Sequence, residues 1–479
     1  MITFTVCLVL LIVGYFVYGR YIDRLFGPTS RKTPALTNPD GVDYIPLPTW
    51  KIFMIQFLNI AGLGPIFGAI LGAKFGTSSY IWIVLGCIFA GSVHDYIAGM
   101  ISLRENGASL PEIIGKYLGN NVKQFMRGFM VLLMILIGAV FVAGPAGLLA
   151  KLTPDNLDAA FWIIVVFVYY VLATLLPIDK IIGRIYPLFA IALIFMAAAL
   201  LVMLYVKFPP LPELWDGLQN THPQADKLPI FPILFVSIAC GAISGFHATQ
   251  SPLMARCMTS EYHGKPIFYG AMITEGIVAL IWAAAGTWFF QNHGMGESNA
   301  SVIVDAITKN WLGSFGGILA VLGVIAAPIT SGDTAFRSAR LIVADFLNFK
   351  QDKVMKRLVI CIPMFIVAIG ILLYSLRDKD GFDIIWRYFA WANQTLSMFT
   401  LWTITVYLFR QKKNFYVSLF PALFMTAVSS TYICIAPEGM RLSQPVSYSV
   451  GVVVTIIALI LFVRWSRNWK GEPEPEPNN

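Results

Sequence analysis

The feature that most constrains this chain is a series of long, continuous apolar segments. A helix needs roughly 20 apolar residues to cross a hydrocarbon core about 30 Å thick. The 479-residue sequence holds about thirteen such segments, near 2–19, 52–73, 79–102, 128–150, 160–177, 185–206, 230–252, 267–290, 314–335, 358–376, 384–409, 415–435 and 446–464. They lack the two-residue alternation of membrane barrel strands. We therefore predict an all-α, multi-pass membrane protein with about 13 transmembrane helices, the first retained as an anchor.

The distribution of charge supports these spans and predicts their orientation. Only 13% of the residues are charged and 57% are hydrophobic, whereas soluble proteins carry about a quarter charged residues. One alternating set of loops contains 25 Lys and Arg residues and the other set contains 8. Positive charge marks the cytoplasmic side, so we expect the N-terminus outside and the C-terminus in the cytoplasm. The net charge of +8 is thereby explained without a nucleic-acid partner.

Small residues at matching places indicate two related halves. Gly62 and Gly241 are 179 positions apart, and Pro145 and Pro328 are 183 apart, in corresponding spans of two groups of five. Because five is odd, the second group enters the membrane from the opposite side, which makes the repeat inverted. The predicted parts are an N-terminal helix and cytoplasmic loop (1–50), a first repeat (51–206), a second repeat (230–410), two C-terminal helices (411–470) and a disordered tail (471–479).

Glycine-rich interruptions of two spans predict a substrate site between them. In secondary transporters, interrupted helices at the membrane midplane turn free backbone groups and helix ends toward the substrate. Any one such segment is weak evidence, because membrane helices also use small residues for packing. The candidate substrate-binding residues are Asn59, Gly62, Gly64, Gly241, Ser244, His247 and Gln250.

Ionisable and hydroxyl side chains within the spans are candidates for ion or proton coupling, because such groups are costly in a membrane. The candidates are His94, Asp95, Glu275, Thr330, Ser331 and Asp333. Asp95 is equally interpreted as a structural acid that holds backbone or the following basic loop, and adjacent residues such as His94 and Asp95 point about 100° apart on a helix and need not pair. Asp333 is alternatively a helix-end cap, and Glu275 a buried, paired or protonated carboxylate.

Polar residues in the last span of the second half predict either a gate or a helix–helix contact. They are Arg387, Trp391, Asn393 and Gln394. The six cysteines show no paired spacing, so we interpret them as small packing residues. With one histidine in each polar stretch, a metal site is not expected. The sequence contains no nucleophile elbow, metalloprotease motif or phosphate loop, so we expect neither an enzyme nor a cofactor.

Several long strings resemble the carbon starvation protein A (CstA) family. They are QFLNIAGLGPIFGAILGAKFG, GCIFAGSVHDYIAGMISLRENGASLPEIIGKYLG, PIFPILFVSIACGAISGFHATQSPLMARCMTSE, APITSGDTAFRSARLIVADFL and RYFAWANQTLSM. The resemblance implies a LeuT-like 5+5 inverted-repeat core, with one extra N-terminal and two extra C-terminal helices. It also implies that broken helices at 59–65 and 241–250 hold the substrate, and that Thr330 and Ser331 lie at an ion site beside the first of them.

Together these features predict a secondary active transporter. The resemblance implies import of small carboxylate-bearing nutrients, peptides or pyruvate, during carbon starvation, with H⁺ or Na⁺ as the coupling partner. The alternative is an uncoupled channel or a nutrient-sensing membrane protein. The sequence does not specify an oligomeric state.

Overall fold

The computed structural model describes residues 1–175, 182–296, 299–351, 353–377 and 381–471, and this part of the chain is helical without strands. The predicted tail at 471–479 therefore lies almost entirely outside the described residues. The α-helices are α1 (Ile2–Phe16), α2 (Tyr18–Phe26), α3 (Pro34–Thr37), α4 (Thr49–Ile60), α5 (Ala69–Gly72), α6 (Thr77–Gly86), α7 (Ser92–Arg104), α8 (Leu110–Leu118), α9 (Asn120–Leu152), α10 (Ala159–Leu175), α11 (Ile182–Lys207), α12 (Ile230–Ser237), α13 (Gly245–Ala255), α14 (Gly270–His293), α15 (Ala300–Leu347), α16 (Val354–Arg377), α17 (Gly381–Arg410), α18 (Tyr416–Ile435) and α19 (Gln444–Asn468).

The helices are those of a multi-pass membrane protein. Among the described residues, eight are long and apolar enough to cross a membrane, or nine when one bent pair is counted as a span. The other predicted spans fall on α10, on the pair α12 and α13, and within α15 and α17. The count of thirteen and the inverted repeat stay predictions.

The first interruption lies where the sequence predicts it. Helix α4 ends at Ile60, the chain turns through 61–63, and a π-helical turn at Gly64–Gly68 leads into α5. The two sides of this break are bent by 54°. Pro65 has no backbone N–H to continue an α-helical ladder, and Gly64 directly before it leaves room for a close neighbour.

The second interruption separates α12 from α13 and packs directly against the first. A Cβ added at Gly64 would lie 2.3 Å from Cβ of Cys240, within the second break. Only glycine permits this approach, because real Cβ atoms do not come so close. The interruption covers 238–244, and the later residues of the predicted segment 241–250, among them His247 and Gln250, belong to the regular helix α13.

The long helices α9 and α15 pack along each other, and α10 and α11 cover α15. Pro145 lies inside α9 without ending it. A proline in a helix leaves the carbonyl four residues earlier without its donor, which here is that of Phe141. The hydroxyl of Tyr170 on α10 lies 2.8 Å from this oxygen. Pro145, which the sequence analysis singled out, thus lies at a contact between α9 and α10 and does not interrupt α9.

Candidate functional site

Four buried titratable side chains meet beside the two breaks. Asp95 on α7 lies between two histidines: its Oδ1 is 2.8 Å from Nδ1 of His94, and its Oδ2 is 2.9 Å from Nδ1 of His247 on α13. Oε2 of Glu275 on α14 is 3.4 Å from Nε2 of the same His247. All four side chains are 0% exposed. We call His94, Asp95, His247 and Glu275 the His–carboxylate cluster.

The His–carboxylate cluster has hydrogen-bonding capacity that the protein does not use. Nε2 of both histidines and both carboxyl oxygens of Glu275 have no hydrogen-bond partner among the described residues. Asp95 accepts hydrogen bonds from both rings when each Nδ1 carries the proton. We therefore assign Nε2 of each histidine as the unprotonated nitrogen, which can accept a hydrogen bond. A proton on Glu275 would then face an acceptor nitrogen. The arrangement can hold a proton and pass it between a carboxylate and an imidazole.

The structure gives the pairing within the cluster that the sequence left open. His94 and Asp95 are neighbours on α7, yet rotation about their side-chain bonds brings Nδ1 and Oδ1 into hydrogen-bond contact. The two oxygens of Asp95 contact histidines, and the described residues place no backbone group or basic side chain of the following loop in contact with them. Glu275 is the buried carboxylate that the sequence allowed, with Oε2 3.4 Å from Nε2 of His247.

Cys240 joins the edge of the cluster, which sequence reasoning missed. Its Sγ, a nitrogen of His247 and an oxygen of Glu275 lie within 4.8 Å of one another. These are ligand types that transition metals accept, and only the fold brings them together from separate segments. The spacing is compatible with an ion after small side-chain shifts, so the expectation of no metal stays a prediction. Ser244 contacts the same thiol, with Oγ 3.6 Å from Sγ.

The first break presents an unpartnered amide. Both polar atoms of the Asn59 side chain are buried without a hydrogen-bond partner among the described residues, and so are both polar atoms of Gln56 one turn earlier. A buried amide without partners costs about 1–3 kcal/mol, so these groups are suited to a polar solute. Gln56 was not singled out from sequence because it precedes the glycine-rich stretch.

Three further candidates contact neighbouring helices. Gly62 and Gly241 lie within the breaks, and Gln250 lies on α13. Gly62 faces the ring of Phe141, and Gly241 faces Ala279 of α14. Nε2 of Gln250 is 3.3 Å from Oγ of Ser338 on α15, while its Oε1 has no partner among the described residues.

The predicted gate residues bind the two halves of the second broken helix. Oδ1 of Asn393 on α17 accepts a 2.6 Å hydrogen bond from the backbone N–H of Phe246, at the start of α13. Nε2 of Gln394 donates to the carbonyl of Phe235, near the end of α12, at 2.8 Å. Broken helices expose such backbone groups, and α17 satisfies one on each side. Trp391 instead donates to the carbonyl of Ser429 on α18, which is a helix–helix contact.

One of the two candidate hydroxyls of α15 lies beside the first break. Oγ of Ser331 is 3.0 Å from the carbonyl oxygen of Leu58 on α4, whereas the hydroxyl of Thr330 contacts carbonyls of its own helix. Asp333 is buried and accepts a hydrogen bond from Tyr186 on α11. Arg387 is not deep in a span: its side chain is 42% exposed and pairs with Glu438 at 3.3 Å.

A cavity of about 360 Å³ lies at one end of the breaks. Its lining includes Lys74 after α5, Ser237 at the end of α12, and Trp386 on α17. Trp386 packs against Phe67 of the first break and Phe389, with ring centroids 6.1 and 5.3 Å apart. At the opposite end, between α13 and α15, the space is only about 10 Å³, roughly one water.

Comparison with known sequences places the chain among membrane transporters. The model of the carbon starvation protein CstA family matches residues 1–154, 145–303 and 285–432. The peptide transporter CstA of Bacillus subtilis is 24% identical over 96% of both chains. The pyruvate/proton symporter BtsT of Escherichia coli is 28% identical over 61% of this chain and 52% of its own length. An uncharacterized membrane protein of Haemophilus influenzae is 45% identical over 61% of this chain and 92% of its own.

Two solved structures share the fold at low identity. A mutant of the manganese transporter of Eremococcus coleocola matches with a TM-score of 0.55 and 12% identity, over 90% of this chain and 98% of its own. A Na⁺-coupled sialic acid symporter matches with a TM-score of 0.55 and 15% identity, over 97% and 98%. The fold is therefore one that transporters use. From the family match over nearly the whole sequence, we conclude that the chain belongs to the CstA family of membrane proteins.

Proposed function

We propose that this chain is a secondary active transporter that imports a small carboxylate-bearing nutrient, a peptide or pyruvate, together with protons. The observation that carries the coupling part is the His–carboxylate cluster: four titratable groups, fully buried, on three helices beside both breaks. Buried titratable groups in a membrane are expensive and mark proton or ion pathways. Because each histidine keeps an unpartnered nitrogen, the cluster can change its protonation when a solute arrives.

The breaks supply the groups that a carboxylate-bearing or amide-bearing solute needs. Helix α13 starts beside the cluster, and a helix N-terminus favours negative charge. Asn59, Gln56 and Gln250 offer buried amide atoms without partners among the described residues. Relatives named as a peptide transporter and a pyruvate/proton symporter support the same solute classes and favour protons over sodium.

Uptake into proteoliposomes tests this function. We expect an imposed proton gradient to drive accumulation of labelled pyruvate or a dipeptide above the external concentration, with no requirement for sodium or for a divalent metal. A counterflow screen of pyruvate, dipeptides and amino acids then identifies the solute. An uncoupled channel or a sensor, the alternative function, would equilibrate the label or leave it outside, and accumulation that requires sodium would refute proton coupling.

Two substitutions separate the candidate coupling sites. Glu275→Gln keeps the shape of the side chain in the His–carboxylate cluster but removes its proton exchange, so we expect gradient-driven uptake to be lost while counterflow continues. Asp333→Asn alters the acid bound by Tyr186 on the other candidate site. If only Asp333→Asn removes coupling, the cluster is not the coupling site.

We further propose that the chain lies in the cell inner membrane with its N-terminus outside and its C-terminus in the cytoplasm, and that it serves during carbon starvation. The charge asymmetry of the loops supports the orientation. Labelling of single cysteines introduced at the exposed positions Lys207 and Lys350 with an impermeant reagent on intact cells tests it, because only the position corresponding to Lys207 should react. Protein abundance measured as the carbon source runs out tests the physiological role.

A further inference from the structure

A buried ion cluster closes the end of the molecule opposite the 360 Å³ cavity. Asp43 lies in the loop between α3 and α4 and is 5% exposed. Its Oδ1 is 3.0 Å from Nη1 of Arg337, and its Oδ2 is 3.2 Å from Nη2 of Arg340, both on α15. Both arginines are almost completely buried, at 1% and 0% exposed. Sequence reasoning missed this cluster because Asp43 is separated from the arginines by nearly 300 positions.

The arginines carry more positive charge than Asp43 balances. Arg256, at the end of α13, also acts on Asp43 and is shared with Asp345. Burial alone would raise the pKa of Asp43, but the charges of Arg340, Arg337 and Arg256 outweigh it and lower the pKa, so this carboxylate stays ionised. Nε and Nη1 of Arg340 have no hydrogen-bond partner among the described residues. The cluster therefore has donors to spare for a second anion.

A short chain of contacts joins these arginines to the candidate site. Ser338 follows Arg337 directly, and its Oγ is 3.3 Å from Nε2 of Gln250 on α13. The 10 Å³ space between α13 and α15 is lined by Thr249, Ser338 and Arg256. A solute leaving the breaks between α13 and α15 would pass these hydroxyls and then meet the arginines. The charge distribution of the loops favours the cytoplasmic side for this end of the molecule.

The loop with Asp43 covers α13 through few other contacts. The N–H of Leu47 donates to the carbonyl of Cys257 at 3.1 Å, and Sγ of Cys257 is 3.7 Å from the carbonyl oxygen of Asp43. The hydroxyl of Tyr44 donates to the carbonyl of Asn106 at 2.9 Å. Cys257 itself is completely buried. Its thiol is thus a native reporter of whether this loop is seated.

We propose that Arg337 and Arg340 form a second, cytoplasmic carboxylate-binding site, which Asp43 occupies in the closed molecule and the carboxylate of the transported solute occupies on its way out. This inference rests on the proposed function for the identity of the solute. Guanidinium groups match a carboxylate in shape and charge, so the side chain of Asp43 and a solute carboxylate compete for the same donors. Entry of the solute displaces Asp43, unseats the loop and opens the path past Cys257.

The test measures modification of Cys257 by N-ethylmaleimide in the full chain in proteoliposomes, quantified by mass spectrometry. Buried Cys434 on α18 serves as the internal reference. We expect Asp43→Asn to increase the rate at Cys257 about tenfold or more, as loss of a charged contact predicts, and Asp43→Glu to keep it low. Pyruvate, or a dipeptide if counterflow identifies one as the solute, should increase the rate in the unmodified protein relative to an equal concentration of chloride, and should have no effect in Arg340→Gln.

Matched variants guard against general loosening of the fold. Asp226→Asn and Lys350→Gln change exposed charges elsewhere and should leave the rate at Cys257 unchanged. If Asp43→Asn raises labelling of Cys257 and Cys434 equally, or if neither pyruvate nor a dipeptide has an effect in the unmodified protein, the inference is wrong. A pyruvate effect that persists in Arg340→Gln also overturns it. Labelling does not require transport, so a failed uptake assay with a positive labelling result would refute the proposed function alone.

Discussion

Replacing Asp95 by Asn removes the carboxylate that both buried histidines contact. In the protein its two oxygens lie 2.8 and 2.9 Å from Nδ1 of His94 and His247. An Asn side chain has nearly the same shape but only one acceptor oxygen. Its NH₂ group would face the Nδ1–H of one histidine, so one of the two hydrogen bonds is lost and that ring must rotate or change its tautomer.

The size of the effect follows from the loss of that bond. A hydrogen bond to a charged group contributes about 1.5–3 kcal/mol. At about 1.4 kcal/mol for each factor of ten, losing it lowers the population of the intact cluster roughly 10- to 100-fold. We therefore expect proton-driven uptake to fall by roughly the same factor. Counterflow, which exchanges solute without net proton movement, should be largely retained because the breaks themselves are unchanged.

The assay compares both modes of uptake for one labelled solute in the same proteoliposome preparation. Asp226→Asn, an exposed acid, serves as the control and should behave as the unmodified protein in both modes. Thermal unfolding of each variant establishes that the protein remains folded. If Asp95→Asn accumulates solute against its gradient as well as the unmodified protein does, with the same pH dependence, the coupling role of the cluster is refuted.

Three further predictions concern packing and charge. Gly64→Ala should lower the free energy of unfolding by about 1–3 kcal/mol, because the added methyl group overpacks the two breaks. Gly128→Ala, with no neighbour within 4 Å of the added Cβ, should be neutral or stabilising. Equal effects of the two substitutions would contradict the close approach of the breaks. Tyr170→Phe should lower the free energy of unfolding by about 1 kcal/mol, because it removes the donor to the carbonyl of Phe141. An unchanged melting temperature would contradict that hydrogen bond. Because the pKa of Asp43 is lowered, the stabilisation of the folded protein by ionised Asp43 should be full above pH ~4 and should disappear as pH falls through the lowered pKa. In Asp43→Asn the melting temperature should therefore decrease less in acid than in the unmodified protein.

Sequence predicts the positions of the breaks because their cause is local. Gly64 and Pro65 weaken the α-helical ladder locally, although Gly144 and Pro145 show that the same pair can stay within a helix. The matching glycines at Gly241 and beyond indicate where a second interruption meets the first. The exact end of the second break was not predictable, since residues from Gly245 onward form a regular helix once Asn393 has satisfied the N–H of Phe246. That partner comes from a helix nearly 150 positions later.

The His–carboxylate cluster was predicted in its members but not in its connections. His94, Asp95, His247 and Glu275 are conspicuous because charged groups are rare in apolar spans. Which of them touch depends on how α7, α13 and α14 pack, and no local pattern encodes that. Cys240 and Gln56 were missed for a related reason, because such residues in an apolar helix commonly serve in packing. Only the neighbours that the fold brings to them indicate a role in the candidate site.

The measurement that tests the central claim most directly is proton flux during solute uptake. Proteoliposomes loaded with a pH-sensitive dye, with no imposed gradient of protons or sodium, receive external pyruvate or a dipeptide identified by counterflow. The account predicts that solute entry acidifies the lumen, and that Asp95→Asn and Glu275→Gln remove the acidification while Asp226→Asn does not. Solute entry without any change in luminal pH, or acidification that survives both cluster substitutions, would contradict it.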